Sequence, residues 1–161
     1  MTFIYRILSF YIDLFSFLFA ASLFILLPLA LTAPALLLPV FVVVAVVLYS
    51  WFSRQFRHKV LQRHLQVKHT LRDWVRVNGF VAIIFSVLNI PSVIALLRNP
   101  SFILSNLKEM MKQYPEKMQQ EIPMSSINTA GYIMLSYFIV LLIHVLWTFA
   151  LLKKHESFFE K

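Results

Sequence analysis

Residues 35–52 read ALLLPVFVVVAVVLYSWF, eighteen positions that carry no charge and six valines. In water the β-branched run at 42–47 would favour a strand. The stretch is too long for one strand. As a helix rising about 1.5 Å per residue it covers roughly 27 Å, enough to cross hydrocarbon. In lipid every backbone N–H and C=O must find a partner inside the segment, which selects the helix over the strand. This stretch therefore sets the solvent in which the rest of the chain is to be read.

Three further stretches have the same character: residues 14–31, 79–97 and 128–152. Composition agrees. The 161 residues are 60% hydrophobic and 14% charged, with a mean hydropathy of +0.75. Soluble domains are closer to half apolar and a quarter charged. The chain holds two glycines and no cysteine, which excludes disulfides, Cys metal sites, a thiol nucleophile and a glycine-rich phosphate loop. The sequence thus predicts an all-α, integral membrane four-helix bundle in two antiparallel hairpins, a single membrane domain over residues 1–161. Between the spans lie a basic segment at 53–78 and an amphipathic segment at 98–127, both expected as helices on the membrane surfaces. Only Thr32, Ala33 and Pro34 join the first two spans, so these form a tight hairpin, with Pro34 suited to the first turn of the second helix. A cleaved signal peptide ending near Ala33 is the competing reading of the N-terminal region. It would leave a chain that starts at the edge of another span.

Lys and Arg counts set the orientation. The 53–78 segment carries Arg54, Arg57, Lys59, Arg63, Lys68, Arg72 and Arg76 against the one acid Asp73. With four spans, Arg6 and the tail residues Lys153, Lys154 and Lys161 share its side, which gathers eleven of the fifteen basic residues. The expected location is a bacterial cytoplasmic (inner) membrane with both termini in the cytoplasm. Trp51, Trp74 and Trp147 fall toward the same face, as interfacial aromatics do.

In the basic segment Phe52, Phe56 and Val60 recur at i+4 with bases between them, which predicts an amphipathic helix lying on the inner leaflet. Thr70 and Asp73 fit a capping box, placing the start of the third helix near Leu71. The seven bases serve topology, or they bind anionic head groups, where each is worth about 1 kcal/mol. Nucleic acid is not expected as a partner, because topology accounts for most of the basic charge. His58, His64 and His69 lack the i, i+3 or i, i+4 spacing of helical metal ligands, so no metal and no cofactor is expected. In the outer segment Asn99 and Pro100 open a helix, and Ile103, Leu107, Met110, Met111 and Tyr114 fall on one apolar stripe. That stripe would rest on the outer leaflet or dock a partner.

Polar groups at membrane depth are the candidate functional residues. His144 lies eight residues before Leu152, and Asn89 ten residues after Gly79. Each is therefore about 12–15 Å in from the same end. Asn89, His144, Thr148 and Tyr137 form the candidate intramembrane cluster, with Ser86 and Ser92 available to the break made by Pro91. Arg6 and Asp13, seven residues apart, bracket the interface at the start of the first helix. Two readings stay open. One is interhelical glue, worth under about 1 kcal/mol per bond. The other is a proton or ion relay between His144 and Asp13. His144 has no acid at its depth, so an enzymatic site is not expected.

The stretch Tyr5-Arg6-Ile7-Leu8-Ser9-Phe10-Tyr11-Ile12-Asp13-Leu14 resembles the first helix of the RDD family, small bacterial membrane proteins that open with an Arg and an Asp seven residues on. The resemblance covers about ten residues. The Gly-Thr-Gly-Lys-like stretch of that family has no counterpart between Gln55 and Gln66. Some relatives are implicated in cation/proton exchange, so the resemblance hints at the alternative function, a small ion or proton transporter, for which Asp13 and His144 are the candidate residues. The residues themselves point first to a non-enzymatic accessory or structural protein acting through membrane lipids and a membrane-protein partner or a second copy of the chain.

The absence of cysteine makes the topology directly measurable. In Ser125→Cys, a membrane-impermeant maleimide is expected to label intact spheroplasts. In Ser157→Cys it is expected to label only inverted vesicles. The opposite pattern would reverse the assigned orientation.

Overall fold

The computed structural model describes residues 3–101, 104–105, 109 and 123–160. Among the described residues are four long helices: α1 (Phe3–Thr32), α2 (Leu37–Phe56), α3 (His69–Arg98) and α4 (Met124–Lys154). All four are long and apolar enough to cross a membrane. The architecture is all-α, as the hydropathy pattern demands. At 30 residues α1 and α3 are each about 45 Å long, the thickness of hydrocarbon plus head groups.

The first hairpin turns where the sequence places it. Thr32 caps its own helix by donating its hydroxyl to Leu29 O at 2.8 Å. A 3-10 turn, Pro34–Leu36, then begins with Pro34 in its first turn, where a missing N–H costs nothing.

The basic segment departs from expectation. It forms no separate surface helix. After Phe56 the chain continues without a break as a π-helical stretch, Arg57–Gln62. The reason is packing. Val46, Tyr49, Ser53, Phe56 and Val60 form one buried stripe, and the last two are fully buried. The i+4 recurrence of Phe56 and Val60 thus prolongs the inner face of α2. Phe52 also faces protein, stacked on Trp74 at 5.4 Å. His64 then ends the helix in the left-handed region at φ 52°, with His64 N–H on Val60 O and Leu65 N–H on Lys59 O. That conformation usually falls to glycine, with histidine among the residues that tolerate it.

Two-residue strands follow: β1 (Val67–Lys68) pairs in parallel with β2 (Phe159–Glu160) near the C-terminus. Because β1 leads directly into α3, the helix begins at His69. Thr70 and Asp73 accordingly sit inside its first turns, not at the cap and third positions. The 98–127 segment, with its Ile103 to Tyr114 stripe, lies mostly outside the described residues.

Two compact units are present, Met1–Ser86 with Val140–Lys161, and Val87–Ile139. In the first, Gly79 makes room for α4: a Cβ there would lie 2.7 Å from the Phe149 ring and 3.2 Å from Val145. In the second, Gly131 does the same for α3, with a Cβ 2.7 Å from Leu97 and 3.1 Å from Leu96. Both glycines of the chain are thus spent on close helix approach, the usual role of small residues in membrane bundles. Large apolar side chains such as Phe17, Phe24 and Leu38 point outward, as suits a lipid solvent.

Candidate functional site

Several buried polar side chains of the first unit meet at His144. Tyr5 and Ser9 come from α1, Tyr49 from α2, and His144 and Thr148 from α4. On α1 the buried residues Tyr5, Ser9, Ile12 and Ser16 recur at helical spacing, so one face of an otherwise lipid-facing helix carries hydroxyls inward. His144 is 2% exposed.

The geometry assigns most of the protons. Ser9 Oγ donates to Tyr5 O at 2.7 Å, and Thr148 Oγ1 donates to His144 O at 2.7 Å. The Thr148 hydroxyl therefore offers only lone pairs to its other neighbours. His144 Nε2 lies 3.0 Å from Ser9 Oγ. Tyr5 OH, 3.0 Å from Thr148 Oγ1, donates in turn. Tyr49 OH donates to Thr148 Oγ1 at 3.1 Å and lies 2.8 Å from His144 Nδ1. The Tyr5 ring lies flat on the imidazole at 5.0 Å, and the Tyr49 ring meets it edge-on at 5.8 Å. Three helices are thereby tied at one point, with both ring nitrogens of His144 engaged.

A second polar node lies between α1 and α2. Asp13 accepts from Ser50 Oγ at 2.9 Å and from Arg57 at 2.7 Å. The long guanidinium side chain reaches back from the π-helical turn, and both charges are mostly shielded. Arg6, the other half of the expected bracket, is exposed on α1.

A third node fixes the C-terminal tail. Arg72 donates to Glu156 at 3.1 Å and lies 3.6 Å from Asp73. Its guanidinium stands over the Phe159 ring, which itself stacks on Phe56. Arg72, expected among the lipid-facing bases, is thus engaged by the C-terminal tail.

Of the predicted residues, His144 and Thr148 lie in the first unit, both bonded to Tyr49. Asn89 and Tyr137 belong to the second unit. There Asn89 lines a cavity of about 460 Å³ with Ser92, Leu96 and Asn99, and Tyr137 is buried with its ring against Phe138. Ser86 and Ser92 turn to the carbonyls of Ala82 and Leu88, the ordinary i−4 bond of a helical serine. Tyr5, Ser9 and Tyr49 complete the His144 network and were not singled out from sequence. Their signal was present in the inward spacing on α1 and in Tyr49-Ser50 at the end of an apolar run.

Comparisons with family models, with curated proteins and with solved structures gave no match to this chain.

Tyr49→Phe and His144→Leu are each expected to lower the thermal midpoint of the detergent-solubilised protein. They share one bond, so the double variant should lose less than the sum, with a coupling of about 0.6–1.7 kcal/mol. Strictly additive losses, followed by circular dichroism, would contradict the network.

Proposed function

We propose that the protein is a non-enzymatic accessory or structural component of a bacterial inner membrane, with both termini in the cytoplasm. It acts through anionic lipid and through contact with a membrane-protein partner or a second copy of itself. The observation that carries this reading is that His144 and Asp13 are both engaged by neighbouring side chains. His144 bonds to Ser9 and Tyr49, and Asp13 to Ser50 and Arg57. Such groups act as joints between helices.

The outer halves of the first two helices support the same reading. Past Ser16, the polar side chains of α1 are Ser22 and Thr32, and both bond to carbonyls of their own helix. From Leu37 to Leu48, α2 is wholly apolar. Neither stretch offers a carrier for protons beyond Asp13, which the ion-exchange activity implied by an RDD-like first helix would need from some element of the path.

Reconstitution in liposomes loaded with a pH-sensitive dye tests this. Under an imposed gradient the protein is expected to conduct no faster than protein-free liposomes, and Asp13→Asn and His144→Leu are expected to change nothing. Protein-dependent flux that either substitution abolishes would replace this reading with the transporter.

A further inference from the structure

We propose that the basic end of α2 is a binding site for one anionic glycerophospholipid, its phosphate held by Arg54 and Lys59 and an acyl chain lying in the groove between α1 and α2. Two adjoining hollows make the site. The first, about 520 Å³, is lined by Trp51, Arg54, Arg57, His58 and Lys59 among others. The second, about 210 Å³, runs between the helices along Phe17, Ala20 and Val47, with Asp13 and Ser50 at its head. Trp51 and Arg54 line both, so a charged hollow and an apolar one share a wall. That is the division of a phospholipid into head group and chain.

The charges fit an anion. Asp13 is the acid in this wall, and Arg57 and Ser50 neutralise it. The Arg54 guanidinium has no hydrogen bond or ion pair among the described residues and remains exposed. Lys59 is exposed as well, its ammonium steadied by Gln55 Oε1 at 3.1 Å. Two cationic groups are therefore uncompensated on one helical turn and a half, beside a tryptophan that is 59% exposed. Trp is the residue that favours the head-group level. The groove below is open to the membrane, since Phe17 is 73% exposed. Free phosphate would fill the charged hollow alone, whereas a lipid satisfies both. Arg72, already committed to Glu156, contributes nothing here, and Arg63 and Lys68 lie outside both hollows' linings.

The proposal rests on the reading that the protein works through lipid contacts and names the lipid class and its seat. It is tested with a chain in which Trp74→Phe and Trp147→Phe leave Trp51 as the sole tryptophan. The chain is placed in phosphatidylcholine vesicles containing a small fraction of brominated phosphatidylglycerol or of brominated phosphatidylcholine. Each base near an anionic head group is worth about fivefold in local affinity. Trp51 is therefore expected to be quenched at an at least about tenfold lower fraction of the anionic lipid. Arg54→Gln with Lys59→Gln should abolish that preference, and Arg63→Gln with Lys68→Gln should leave it. Equal quenching by the two lipids overturns the site. So does a preference that survives Arg54→Gln with Lys59→Gln, or one that the Arg63 and Lys68 changes remove equally. Helical content by circular dichroism confirms that each variant is folded. The quenching reads lipid choice and the dye assay reads flux, so either reading can fail alone.

Discussion

Helices dissolved in lipid gain little by hiding from one another, because acyl chains are as apolar as leucine. Close packing and hydrogen bonds must choose the arrangement. In the first unit both are concentrated around His144, where Tyr5, Ser9, Tyr49 and Thr148 link α1, α2 and α4. At an average near 0.6 kcal/mol per interhelical bond, the four cross-helix contacts supply only about 2 kcal/mol. Their larger effect is on specificity. A helix rotated by one position would turn a hydroxyl or an imidazole into hydrocarbon and leave it unpaired.

Polar and apolar functions are separated along the chain. The end that carries Arg54 to Arg76 and Lys153-Lys154 also holds the His144 network, the Asp13–Arg57 pair and the docked tail. The helical segments from Phe17 to Leu48 bring almost no polar side chain except those that bond within their own helix. Where α2 leaves lipid it does not stop, because Phe56 and Val60 remain fully buried. The tail then closes over this end through Phe159 on Phe56 and Glu156 on Arg72. The cationic surface is therefore built on a folded layer, in which some bases are structural and others stay exposed.

The four helices and the first turn were legible because hydrophobic length in lipid admits one backbone solution. His144 and Thr148 stood out as polar groups at depth, and they do meet. Their partners were harder to find. Equal depth suggested Asn89, which falls in the second unit. Tyr5 and Ser9 lie near the end of α1, where hydroxyls pass for interfacial residues. Asp13 was legible as half of a pair, but Arg6 was nearer in sequence than Arg57, whose approach depends on the hairpin. The spacing of Phe56 and Val60 was read correctly as a helix face and assigned to the wrong neighbour, since a buried stripe and a membrane-facing stripe share one period. The β1–β2 pairing and the left-handed His64 had no local signal, being fixed by contact with the tail.

Nitrogen-15 spectroscopy of the His144 ring in bilayers examines this arrangement most directly, with the signal assigned by its loss in His144→Leu. The network predicts a ring proton slow to exchange with water and both ring nitrogens held in hydrogen bonds. Rapid exchange with bulk water, or a ring nitrogen with the shift of a free imidazole, would contradict it.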